Sequence, residues 1–163
     1  MDEHGQYDVA QICESGHVIN SSAASMPTLR SRHCTACGAK TLMDCPACNT
    51  PIRGVFDEPG LIDFVSTYRR PAFCHSCGAE YPWTVAHLEA AQELAEEVDD
   101  LSLEERRVLA TSLPDLLRDS PRTDVAVVRV KRLAGKLTST AGAALRKLIV
   151  DIASESARKA LDL

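Results

Sequence analysis

The chain has 163 residues, 45% hydrophobic and 25% charged, with a formal net charge of −5. That balance is globular and the length suits one ordinary domain or two small ones, which excludes a disordered chain; no apolar run approaches the roughly 18 residues of a membrane span. The opening MDEHGQYDVAQIC has neither a basic n-region nor an apolar core, so export is not expected and the chain is placed in the cytoplasm, with no membrane partner.

Seven cysteines in a reducing compartment read as metal ligands rather than disulfides. With one histidine they fall into four pairs: Cys13/His17, Cys34/Cys37, Cys45/Cys48 and Cys74/Cys77. Soft ligands two or three residues apart converge on one tetrahedral ion, so eight of them make two closed sites, expected to hold two Zn2+. A closed site has no position left for water or substrate. The metal is therefore expected to build structure, with no catalytic residue and no other cofactor. Iron in a four-cysteine site is chemically allowed, with electron transfer as its consequence, but the mixed site with His17 favours zinc.

Glycine follows the second cysteine in CTACGAK and CHSCGAE, where a positive φ turns the chain back after a metal knuckle. CPACN has Asn49 there, which tolerates that conformation next best. Three combinations of pairs are open. Sixteen residues separate His17 from Cys34 and 25 separate Cys48 from Cys74, room for an outgoing and a returning strand, whereas seven separate Cys37 from Cys45. Consecutive sites fit those gaps most simply. A nested arrangement is sterically possible, since seven extended residues reach about 23 Å, and an interleaved cross-brace is the third.

The chain changes character near Trp83: every aromatic, cysteine and methionine lies at or before it, and the remainder is rich in Ala, Leu, Val, Glu, Arg and Lys. The expected fold class is α+β, a double zinc-ribbon domain of short antiparallel strands at 1–83 followed by a domain of three or four helices at 84–163. The first part is too small and turn-rich to fold by burial alone, and zinc supplies the deficit. The stretches ICESGHVIN, HCTACGAKT, CPACNTPIRG and RPAFCHSCGAEYPWT resemble an uncharacterised bacterial domain-of-unknown-function family in which a double zinc ribbon precedes a helical tail. The resemblance implies metal binding at the eight positions and no reaction. Zinc ribbons in general bind nucleic acid or protein.

In the tail, Thr84 is placed as the cap of a helix with Leu88, Ala91, Ala95 and Val98 on one face. Ser102-Leu103-Glu104-Glu105 is a capping box opening a second helix. Ser112-Leu113-Pro114-Asp115 repeats the signal, so that helix is expected to break and restart at Pro114. Residues 123–137 carry both a strand pattern (Val125, Val127, Val128, Val130) and a helical stripe (Val127, Val130, Ala134, Leu137); helix is chosen. A last helix is expected from about Thr140 to Leu161. A thin core without aromatics suits packing against another surface, including a second copy of the chain.

Charge in the tail is sorted. Residues 84–105 hold eight acids and no Lys or Arg, while 106–163 hold twelve basic and six acidic residues. The excess concentrates in Arg122, Arg129, Lys131, Arg132, Lys136, Arg146 and Lys147, a set able to neutralise phosphates. Pairing with the acidic first helix, or simple solvation, is preferred, because the net charge provides no long-range pull on nucleic acid. His33 and His75 are read as exposed knuckle residues, His87 as packing, His4 as terminal, and Tyr81-Pro82-Trp83 as a buried hinge rather than an aromatic ledge. Arg69-Arg70 is weak evidence for phosphate contact.

No phosphate loop, GxSxG elbow or HExxH is present, and the HxE half of a deaminase signature fails at His33. The reading is a non-catalytic zinc-binding interaction module with a protein partner expected first and nucleic acid second, a redox or catalytic role being third.

Overall fold

The computed structural model describes residues 5–57 and 67–162; His4 and Phe64 lie outside the described residues. The chain divides into two compact units, Met1–Thr84 and Val85–Leu163. The architecture is α+β, with small antiparallel sheets and five helices among the described residues.

Unit 1 is built of short strands because every ligand pair forces a turn. In chain order they are β1 (Gln6–Val9), β2 (Gln11–Cys13), β3 (Val18–Asn20), β4 (Thr41–Leu42) and β5 (Arg53–Asp57), with a 3-10 turn at Pro27–Leu29. β2 is the centre of a three-stranded sheet, pairing antiparallel with β3 (Gln11↔Asn20) and β4 (Ile12↔Leu42), and β1 pairs with β5 (Tyr7↔Phe56). The two sheets are tied by the N–H of Ala10 donating to the Ile52 carbonyl (2.8 Å) and that of Ile52 to Met43 (2.8 Å). The core is small: Ala10, Ile12, Cys45, Ile52, Cys74, Tyr81 and Trp83. Two of those seven are cysteines, so part of the candidate ligand set is built into the core, while His17, Cys37 and Cys77 are exposed.

Unit 2 is helical. α1 runs Pro82–Glu97, its first turn crossing the unit boundary, and is followed by α2 (Leu103–Leu116), α3 (Pro121–Ala134), α4 (Thr140–Ile152) and α5 (Glu155–Leu161). Its core is aliphatic, with Leu109, Leu113, Leu116, Val130, Leu133, Leu145 and Ile149 fully or almost fully buried. The capping box at Ser102 is formed as the sequence predicts, Ser102 and Glu105 each accepting from the other's N–H. Residues 123–134 are helical, with Val127 and Val130 buried and Val125 and Val128 exposed. A second capping box at Ser120/Thr123 and Pro121 at the first helical position favour helix there over the β-branched strand pattern.

Three helix boundaries differ from the expectation. α1 starts at Pro82, whose fixed φ suits a first helical position, and the Thr84 hydroxyl donates to the Ala72 carbonyl (2.8 Å) instead of capping. α2 does not break at Pro114. Proline removes the N–H that would bond the Ala110 carbonyl, and the Gln92 side-chain amide donates to that carbonyl instead (3.3 Å). The expected helix from 140 to 161 is two helices. Ala153 turns extended, and Ser154 caps α5 while its N–H donates to the Leu116 carbonyl (2.7 Å) and its hydroxyl to Asp119 (2.7 Å). The result is five helices rather than three or four.

Candidate metal centres

Each ligand pair sits on a tight turn whose hydrogen bonds follow from the sequence. In the second, third and fourth pairs the first cysteine's carbonyl accepts from the residue four positions on, through Gly38 (2.8 Å), Asn49 (2.8 Å) and Gly78 (2.9 Å). Those three residues have φ of 73°, 58° and 74°. Left-handed backbone is open to glycine and tolerated by asparagine, so CxxCG and CxxCN encode the turn together with the ligands. The Cys13/His17 pair is a variant, with Gly16 at φ 88° lying between the ligands and its N–H donating to the Cys13 carbonyl (2.7 Å). The glycine in ESGH carries the same signal as the others, one step earlier relative to its ligands.

These turns bring the eight residues into two tetrads, Cys13/His17/Cys34/Cys37 and Cys45/Cys48/Cys74/Cys77, the donor atoms of each lying within 4.8 Å of one another. The combination is the consecutive one, neither nested nor interleaved. In the first tetrad His17 presents Nδ1, 3.5 Å from Cys13 Sγ and 3.6 Å from Cys34 Sγ, and Cys13 Sγ is 3.8 Å from Cys37 Sγ. In the second, Cys45 Sγ–Cys77 Sγ is 3.8 Å and Cys48 Sγ–Cys74 Sγ is 3.7 Å.

Those separations test the fit to a metal. A tetrahedron with Zn–S of about 2.3 Å and Zn–N of about 2.05 Å has S···S edges of about 3.8 Å and S···N edges of about 3.55 Å. The observed edges agree with both, and all seven cysteines are free thiols rather than disulfides. Both tetrads are thus able to hold a metal ion. With a divalent ion and ionised thiols, the first would carry a formal charge of −1 (2 − 3) and the second −2 (2 − 4).

The polar groups around the sulfurs are set for thiolates. The N–H of Ala39 and the Ser15 hydroxyl hold the Cys37 thiol down to about 6. The N–H groups of Cys77 and Ser76 hold Cys74 down to about 6, and the Thr50 hydroxyl and N–H lower Cys48. Cys13 and Cys77 are different: burial raises Cys13, and at Cys77 the Ala79 N–H pulls the thiol down, but the neighbouring Cys48 sulfur, burial and the other two sulfurs push it up to about 11. Crowding of sulfurs at contact distance produces that opposition, and a cation at their centre removes it. A further observation points the same way. The Tyr81 hydroxyl is buried with no hydrogen-bond partner, and after burial the strongest influence raising its pKa is the charge of the Cys74 thiolate.

The other sequence candidates fall elsewhere. His33 and His75 are exposed beside the knuckles and belong to neither tetrad. Tyr81 and Trp83 are 1% exposed and stacked, so they form no open ledge. Arg70 packs over Gly16, within about 3 Å of where a Cβ would lie. Among the seven basic residues singled out between 122 and 147, Arg122 pairs with Asp115 (3.0 Å), Lys136 with Glu105, Lys131 donates to the Ala160 carbonyl (3.3 Å) and Arg146 to that of Leu137. The acids so engaged are Glu105 and Asp115, not those of the expected acidic partner at 84–98. Arg129, Arg132 and Lys147 are exposed. No helix among the described residues is long and apolar enough to cross a membrane.

Sequence reasoning missed Ser15 and Thr50, which contact sulfur without ligating, and the closeness to Cys74 of Tyr81, read there only as a buried hinge residue. Hydroxyl residues beside a ligand are common in any sequence, and only the folded turn aims them.

The fold and the tetrads define an α+β protein with two Cys/His clusters able to hold metal ions. The chain belongs to the bacterial family described as "Uncharacterized protein conserved in bacteria (DUF2321)", which it matches over residues 6–161. No curated protein and no solved structure matches it.

Proposed function

We propose that the protein is a non-catalytic interaction module whose two tetrads hold structural Zn2+ and whose partner is another protein. The observation that carries this reading is the closure of both sites: four donors lie at the edge lengths of a tetrahedron in each, leaving no coordination position for water or substrate. Zinc is favoured over iron by the Nδ1 donor of His17 in the first tetrad. Free thiols throughout suit a reducing cytoplasm.

The partner surface is sought on α3. Val125 and Val128 are 48% and 70% exposed, beside exposed Arg129 and Arg132, so this helix presents an apolar and cationic face opposite its buried stripe. Large apolar groups flanked by arginine suit a protein interface more than phosphate binding. A second copy of the chain is one such partner. Phosphate contact by the basic set 122–147 ranks second, because Arg122, Lys136, Lys131 and Arg146 are already engaged within the chain.

Affinity purification of the native protein in mild salt, with and without nuclease and with a Val125→Asp/Val128→Asp variant, tests this. A protein partner retained after nuclease and lost in the variant is expected. Capture that disappears with nuclease alone would reverse the ranking.

A further inference from the structure

Unit 1 carries a second feature that the metal centres do not use. Beside the Cys34/Cys37 knuckle lies a groove of about 520 Å³ whose lining includes Arg30, Arg32, His33 and Lys40, with Ser31 and Thr41. Gln11 and Met43 complete it, and no acidic side chain lines it. The sequence shows why: from Ser15 to Met43 there is no Asp or Glu. The flanking acids, Glu14 and Asp44, stay outside the lining.

The groove is held in shape before anything binds. Gln11 is 5% exposed and clamps the far wall, accepting from the Ser31 N–H (3.0 Å) and donating to the Ser31 carbonyl (2.7 Å) and to Thr41 Oγ1 (2.9 Å). The Thr41 N–H donates to the Arg32 carbonyl (3.2 Å), and His33 pairs antiparallel with Lys40 across the knuckle stem. Arg30 is fixed through Nε, which donates to the Ala23 carbonyl (2.7 Å), so its terminal nitrogens keep a set direction. No carboxylate pairs with Arg30, Arg32 or Lys40 among the described residues.

We propose that this groove binds the phosphodiester backbone of a nucleic-acid strand. Three cations without a carboxylate partner on an ordered scaffold, with the Ser31 and Thr41 hydroxyls and no acidic side chain in the same lining, provide charge neutralisation for phosphates. The groove is open and all three cations, Arg30, Arg32 and Lys40, are exposed, which leaves them accessible to a chain of phosphates. The proposal goes beyond the protein-partner reading, lies in the other unit, and each can fail without the other.

Fluorescence anisotropy of the metal-loaded full chain with short mixed-sequence single-stranded DNA and RNA tests it. Neutralising three phosphates gives a slope of log affinity against log salt of about −2, so a fourfold rise in salt should weaken binding about fifteenfold. Arg30→Gln/Arg32→Gln/Lys40→Gln should weaken low-salt binding about tenfold or more and flatten that slope. Arg32→Gln/Lys40→Gln, which leaves the Arg30 anchor intact, should do so in part at unchanged metal content and Tm. Arg129→Gln/Arg132→Gln/Lys136→Gln should leave binding unchanged. The proposal is overturned by absence of binding at low salt, by binding indifferent to the groove variants, or by a polyglutamate peptide binding the groove as well as the oligonucleotides do.

Discussion

Tyr81 stacks on Trp83 with ring centroids 4.5 Å apart and planes 17° from parallel, and the pair sits in the same core as Cys45 and Cys74. Trp83 settles its own polar atom by donating Nε1–H to the Pro71 carbonyl (2.8 Å). Tyr81 does not, and its hydroxyl is left buried and unpartnered beside the charge of Cys74. An orphan of this kind costs about 1–3 kcal/mol unless an acceptor is supplied, and a metal-bound Cys74 thiolate is such an acceptor. Tyr81→Phe is therefore expected to weaken metal binding at the second tetrad by about 10–100-fold and to leave the first unchanged. Chelator competition followed tetrad by tetrad checks it; equal retention at both would detach the hydroxyl from the metal.

Metal loading should be two ions per chain, read by elemental analysis. Because a structural zinc contributes on the order of 10–16 kcal/mol, comparable with a small domain's whole stability, Cys45→Ser or Cys74→Ser is expected to unfold unit 1. All eight tetrad residues lie in unit 1, so most of the far-ultraviolet helical signal should persist in those variants. One ion per chain, stoichiometric iron, or helices that melt with the mutation would each contradict the assignment of structural zinc to unit 1.

Gln92 and Pro114 are expected to be energetically coupled. Gln92→Ala leaves the Ala110 carbonyl without the donor that replaces the missing proline N–H, at a cost of about 1–3 kcal/mol. In a Pro114→Ala background the helix supplies that N–H itself, and the same substitution should cost less. A double-mutant cycle by denaturant unfolding measures the difference. Equal costs in both backgrounds would mean that the Gln92 contact is incidental.

Acid should loosen unit 2. The hydroxyl of Ser139 holds Asp100 below its usual 3.8, that of Ser156 does the same for Asp119, and Lys136 holds Glu105 below its usual 4.5. A carboxylate depressed in the folded state contributes stability that is fully present above its unfolded pKa and is lost as pH falls through the folded one. Helical stability is therefore expected to be level above about pH 5 and to decline below 4.5 and then 3.8. Asp100→Asn with Asp119→Asn should flatten that decline in pH-dependent thermal melts. An unaltered acid slope would place its origin elsewhere.

Local chemistry wrote the knuckles directly into the sequence. A CxxC followed by glycine or asparagine specifies two ligands and the left-handed turn between strands, so six of the eight residues were legible one pair at a time, and Cys13/His17 followed from the odd cysteine and the spacing that made a fourth pair. The capping boxes at Ser102 and the helical stripe through Val127, Val130 and Leu137 were legible for the same reason, since each depends on residues within one or two turns. The pairing of the knuckles was legible only as a preference for the consecutive arrangement, because the spacings permit three combinations; β2, running between β3 and β4, places Cys13 beside Cys37 and decides it. The continuity of α2 through Pro114, the break before Ser154 and the orphan at Tyr81 were out of reach. Each is decided by a group beyond the local turn, Gln92, Asp119 or Cys74, that satisfies or fails to satisfy a polar atom which the local sequence leaves unpaired.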